Sequence, residues 1–178
     1  SVKQPLSYSR MASIVSSTGK KMSTDTAIDY VRYMDESWLL LPFENYVGKL
    51  QDKEMNRKYY FIDNGLLALF LLDPATSLLE NIVAVNLRRK YGYECYFFNT
   101  PKVEVDFYIP EESTAIQVAY SIADQDTRKR ETAALLALSD YQDVQHLQII
   151  TKDEEETFEE KGKVISVIPL WKWLVKMW

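Results

Sequence analysis

Five positions set the chemical question. Glu104 and Asp106 alternate along "VEVDFYI", Gln117 and Ala119 along "AIQVAYS", and Glu80 precedes both in "SLLENIV". Strand alternation puts Val103, Val105, Phe107 and Ile109 on one face and Glu104, Asp106 and Tyr108 on the other. On the next strand Ile116, Val118 and Tyr120 oppose Gln117, Ala119 and Ser121. A hairpin register can therefore set Asp106 against Gln117 and Ala119, with Glu80 reaching the same spot from a helix. Carboxylates so grouped suit Mg²⁺ or Mn²⁺, which would polarise a phosphate oxygen and activate water. A cation is also needed to steady the developing charge, and this hairpin supplies none. Glu80 and Asp106 have a second reading, in which they hold helix to sheet by capping or ion pairing.

The elements that must position these residues follow from periodicity. Ser7 caps a predicted helix over 8–17 with Met11, Ile14 and Val15 on one face. "STGKK" turns, and Ser23 or Thr24 caps a second helix to about Ser37 with Ala27, Tyr30, Val31 and Met34 inward. "WLLLPFENYV" and "KYYFID" are strand-like and flank a polar segment, "GKLQDKEMNR". Two helices and a ribbon are the order of a winged helix, over residues 1–63. "NGLLALFLLDPATS" contributes a short apolar helix. A second part, 64–178, then follows the order α-β-β-β-α-β-β-α. Its helix at 77–90 buries Leu79, Ile82, Val83 and Leu87 and stops at Gly92. Strands fall at 93–98, 102–109, 114–120, 145–151 and 163–168, with a helix at 125–139 and a closing helix, "LWKWLVKMW". "DEEETFEE" is expected to be a solvated turn. The fold class is α/β, α+β overall, with a mixed sheet.

Bulk properties exclude several functions. The 178 residues are 47% hydrophobic and 26% charged, a composition that folds. No run spans a bilayer and no signal peptide is visible, so a cytoplasmic location without membrane partners is expected. Ser1 in place of an initiating Met suggests a fragment. The single Cys95 precludes an internal disulfide, and the single His146, at a strand edge, precludes a His-rich metal site. The net charge of −5 divides unevenly: +2 over residues 1–58 and −7 over 59–178. "SSTGKKMST" lacks the spacing of a phosphate loop, because Ile14 and Lys21 stand where Gly and Ser/Thr are required. No cofactor, ATP included, is expected in this chain. DNA contact falls to Lys20, Lys21 and Arg32, although Asp25 and Asp29 lie where bases would be read.

Glu80, Asp106 and the Q-V-A triplet in this frame resemble the PD-(D/E)xK restriction-endonuclease-like superfamily. More widely, "KYYFIDNGLLALFL", "SLLENIVAVNLRRKYGYECYFFNTPKVEVDFYI", "AIQVAYS" and "VISVIPLWKWL" resemble the C-terminal half of a prokaryotic family of AAA-type ATP-binding proteins. There an ATPase domain precedes a winged helix and a nuclease-like domain of unknown function. The resemblance implies that Glu80 and Asp106 are the helix and strand acids, that Gln117 replaces the second strand acid, and that Ala119 replaces the lysine. It implies a degenerate site, with Glu80 and Asp106 as the metal ligands if any metal binds. Arg128 or Arg130 can replace the lysine, or Lys102 and Glu104 can migrate into the site. The expected function is a non-catalytic recognition module whose partners are the parent's ATPase domain and a protein or DNA. The rival is a metal-dependent nuclease using Glu80, Asp106 and a displaced base. Exposed tryptophans in the closing helix would mark a partner surface.

Overall fold

The computed structural model describes residues 7–48, 57–69 and 75–178. The polar segment at 49–56 and the end of the apolar link at 70–74 lie outside the described residues. The architecture is mixed α/β, as expected. Among the described residues there are six α-helices, a two-stranded ribbon and a six-stranded mixed sheet.

Helices α1 (Tyr8–Ser17) and α2 (Thr24–Glu36) start where hydroxyls take up free N–H groups. Ser7 accepts from Arg10 N–H and Ser23 from Thr26 N–H. The pair buries only Ala12, Ala27 and Val31. Tyr30 and Ile14, expected inward, are instead more than half exposed. Two short helices joined by a turn have one mutual face, and both residues lie to the side of it.

The ribbon comprises β1 (Leu40–Phe43) and β2 (Lys58–Phe61), paired antiparallel. All four residues of β1 are buried, because the ribbon lies against the second part. Leu41, Phe43 and Tyr60 share a core with Val83, Phe107 and Ile116. Amide side chains complete the seam as strand neighbours would. Asn81 accepts from the Phe61 N–H and donates to the Phe61 carbonyl, both at 2.8 Å. Asn45 does the same for Asn99, at 3.0 and 2.8 Å. The Arg88 guanidinium sits 4.4 Å from the centroids of both Phe43 and Tyr93 and donates to the Pro42 and Gly92 carbonyls.

Helix α3 (Asn64–Ala68) leads to α4 (Ala75–Tyr91), which ends at Gly92 with φ +58°. That left-handed position favours glycine and closes the helix by a Gly92 N–H to Arg88 carbonyl bond. Then come β3 (Tyr96–Asn99), β4 (Glu104–Ile109), β5 (Thr114–Val118), α5 (Gln125–Ser139), β6 (His146–Thr151), β7 (Glu156–Glu160), β8 (Lys163–Pro169) and α6 (Leu170–Met177). The sheet order is β3-β4-β5-β6-β8-β7. The first three strands are antiparallel, β5, β6 and β8 run parallel, and β7 returns antiparallel to β8. One sheet face packs on α4, α6 and the ribbon, and the other on α5.

Two sequence expectations fail here. The acidic stretch is not a turn: its second half is β7. Phe158 packs against the core while the glutamates line an edge strand, where charge costs little and discourages sheet-to-sheet pairing. Nor do Val103, Val105, Phe107 and Ile109 share a face. Tyr96 pairs with Tyr108 and Phe98 with Val105, so β4 carries one extra residue between them. This bulge sends Val105 to the α5 side and Phe107 to the α4 side.

Candidate functional site

Asp106 sits within that bulge, where the ladder opens. Its Oδ2 accepts the Val118 N–H at 3.0 Å. Gln117 lies on the facing strand. Its Oε1 accepts the Asp106 N–H at 2.9 Å and its Nε2 donates to the Glu104 carbonyl at 3.2 Å. The amide thus offers one acceptor and one donor to a backbone that presents one of each. A glutamate here would set a carboxylate oxygen against the Glu104 carbonyl. Gln117 is the residue type this opened ladder requires.

The cation comes from an unexpected place. Lys58 on β2 is fully buried and points its Nζ 3.4 Å from Asp106 Oδ1 and 3.5 Å from Glu104 Oε1. Two residues on, on the same strand face, the Tyr60 hydroxyl donates to Glu80 Oε1 at 2.8 Å. Burial alone would lower the Lys58 pKa, but Asp106, Glu80 and Glu104 outweigh it and leave the amine above its ordinary value. One unit charge at this range is worth about 5 kcal/mol at an effective dielectric of about 20. Burial, followed by the Glu80 charge, raises the Tyr60 phenol well above its usual range, so it stays a donor.

Glu80, Asp106, Gln117 and Ala119 do converge. They line one cleft of roughly 780 Å³ with Lys102, Glu104, Ser121, Thr127, Arg130 and Glu131. Of the two proposed arginine substitutes, Arg130 lines this cleft but pairs with Glu131 at 2.6 Å. Arg128 pairs with Glu156 and lies over the Phe158 ring, away from the cleft. Lys102 lines the cleft, and Glu104 is drawn to Lys58. In α2, Arg32 is bonded to Asp29 at 2.8 Å and lies 3.9 Å from Glu36, while Lys20 and Lys21 are exposed at the turn between the helices. Sequence reasoning missed Lys58, Tyr60 and the buried Glu131. One signal was present: in "KYYF" Lys58 and Tyr60 share a face, and a lysine in phase with a buried aromatic calls for a counter-charge.

The fit to a divalent cation is poor. Asp106 gives one oxygen to a backbone N–H and the other to an ammonium, and the Gln117 oxygen is taken by the Asp106 N–H. Among the described residues no group of three or more His, Cys, Asp or Glu side chains is placed to hold a metal. No described helix is long and apolar enough to cross a membrane.

No family model matches the chain, and no solved structure matches it. A protein of Methanocaldococcus jannaschii described as uncharacterized is 25% identical to it over 177 residues. The match takes in 94% of this chain and 40% of that protein, so the chain spans well under half of its relative's length.

Proposed function

We propose that this chain is a non-catalytic recognition module of a larger AAA-type ATP-binding protein, with a nuclease-like α/β fold whose cleft has become structural. One observation carries the reading. Lys58 delivers its own positive charge to Asp106 and Glu104, beside Glu80, where hydrolysis would need a metal. The acids then fasten the ribbon to the sheet instead of activating water. The module would be cytoplasmic, with the parent's ATPase domain and a protein as its partners. DNA is a weaker candidate, because the first strand of the ribbon that would serve as a wing is buried and Arg32 is paired to α2's own acids.

The rival reading, a metal-dependent phosphodiesterase, draws support from the same lysine. Lys58 is a displaced cation within reach of both Asp106 and Glu104, beside a cleft of ligand size. A cleavage assay separates the two. Single- and double-stranded DNA and RNA are incubated with the protein and Mg²⁺ or Mn²⁺, alongside Asp106→Asn. The module reading expects no cutting by either protein. Cutting by the wild type that Asp106→Asn abolishes, with the variant still folded, would establish the rival.

A further inference from the structure

Helix α6 divides its large side chains between two faces. Trp173 and Met177 are buried, and Leu170 and Leu174 pack against the core beside them. Trp171 and Val175 on the other face, and Trp178 just past the last helical residue, recur at i, i+4 and i+7 and are 62%, 73% and 73% exposed. Packing of α6 onto its own sheet already uses one full apolar stripe, so the second stripe is surplus to the fold. Scattered exposed apolar residues need no explanation, but three at helical spacing form a surface.

The charge beside this stripe differs from that of the chain around it. Trp178 Nε1 donates to Asn86 Oδ1 at 3.4 Å, which sets the end of α6 against the last turns of α4. Arg89 and Lys90 lie three and four residues beyond Asn86, on its side of that helix, and both are exposed. Lys176 is exposed on α6 itself. A cationic and aromatic patch therefore stands on a part of the molecule whose balance is −7.

We infer that this face of α6 and the end of α4 bind an amphipathic helix of a protein partner, with apolar residues at i, i+4 and i+7 and carboxylates along its flanks. The stripe matches that helical spacing, and tryptophan and arginine are the side chains that anchor interfaces. The charges favour a short acidic helix over an anionic bilayer or a nucleic acid. A few carboxylates pair locally with Arg89, Lys90 and Lys176, and the protein's other acids are screened beyond about 8 Å at physiological salt. An extended polyanion would run onto those acids. The inference names a docking face outside the cleft and holds whether or not the cleft cuts nucleic acid.

The test titrates the whole chain with a synthetic helix of that pattern, Leu on the stripe and Glu on the flanks, followed by tryptophan fluorescence and calorimetry. Parallel arms use the same peptide with Lys for Glu, vesicles of equal parts phosphatidylserine and phosphatidylcholine, and single-stranded DNA. Saturable binding of the Glu peptide alone is expected, weakened by salt. Trp171→Ser with Trp178→Ser, and separately Arg89→Glu with Lys90→Glu, should each weaken it by about tenfold or more. Trp38→Ser, an exposed tryptophan on the other part, should leave binding unchanged. Thermal unfolding confirms that the variants fold. No saturable binding of the Glu peptide, equal binding of the Lys peptide, or preference for vesicles or DNA would overturn the inference. So would self-association removed by the same variants, which would make a second copy the occupant.

Discussion

The ribbon and the helix pair belong to the same stretch of chain but not to the same structure. The ribbon buries Leu41, Phe43, Lys58 and Tyr60 among residues of the second part and is fastened by Asn81, Asn45 and Arg88. The helix pair buries three residues and leaves Ile14, Ile28, Tyr30 and Tyr33 at the surface. Burial therefore changes between α2 and β1, near the exposed Trp38. A wing is expected to move with its helices. This ribbon is packed onto the sheet, and its polar contacts engage Glu80, Glu104 and Asp106 of the cleft. The helix pair meets both strands of the ribbon: α2 leads into β1, and the Tyr8 hydroxyl on α1 shares a hydrogen bond with the Tyr59 hydroxyl on β2 at 3.1 Å.

Substitutions can break this contrast, and the largest effect should come from Lys58. Lys58→Ala leaves the largely buried Asp106 without its ammonium and should cost about 3–5 kcal/mol in chemical denaturation. A loss below about 1 kcal/mol would mean the ribbon is not held there. The same pair gives a pH signature. The folded Lys58 pKa is raised above the ordinary 10.5, so its contribution is complete below that value and is lost as pH rises through the folded value. The raised Tyr60 adds to alkaline loss, so the lysine's share is the difference between wild type and Lys58→Met, whose stability should be flatter above pH 10.5.

Gln117→Glu sharpens the claim that this position is structural. It replaces a donor to the Glu104 carbonyl with a charged acceptor and should cost about 1–3 kcal/mol at neutral pH. The new carboxyl would have a raised pKa in the folded state, so protonation should restore stability as pH falls. A variant as stable as wild type at neutral pH would contradict the bracing role. Tyr60→Phe removes the phenol donor to Glu80 and should cost about 1–2 kcal/mol. On the helix pair, Arg32→Ala should change stability by no more than about 0.5 kcal/mol, since its ion pairs are exposed. An effect there as large as that of Tyr60→Phe would erase the contrast.

Much of the second part was legible in the sequence because its signals are local. The apolar stripe of α4, its stop at Gly92, and the hairpin that brings Asp106 to Gln117 follow from spacing alone. Spacing allowed Glu80 to reach the same spot, the resemblance named it as the helix acid, and it does line the cleft. Lys58 was legible only as a lysine in phase with Tyr60; its partner lies 48 residues away, and no local pattern names the acid it meets. The bulge in β4 escaped because alternation has no way to count an extra residue that only the neighbouring strand reveals. The acidic β7 escaped because edge strands carry the same charges as turns. Tyr30 was misplaced because a helical stripe shows which residues can be covered, while the width of the partner helix decides which are.

The most direct test of the central claim is Mn²⁺ binding, followed by electron paramagnetic resonance on wild type and Lys58→Met at neutral pH. If the ammonium stands where a metal would, wild type should leave Mn²⁺ free at concentrations up to about 1 mM, which corresponds to a binding free energy weaker than about −4 kcal/mol. Stoichiometric binding by the wild type in the micromolar range, lost in Asp106→Asn, would contradict the claim and return the cleft to the metal-dependent enzymes.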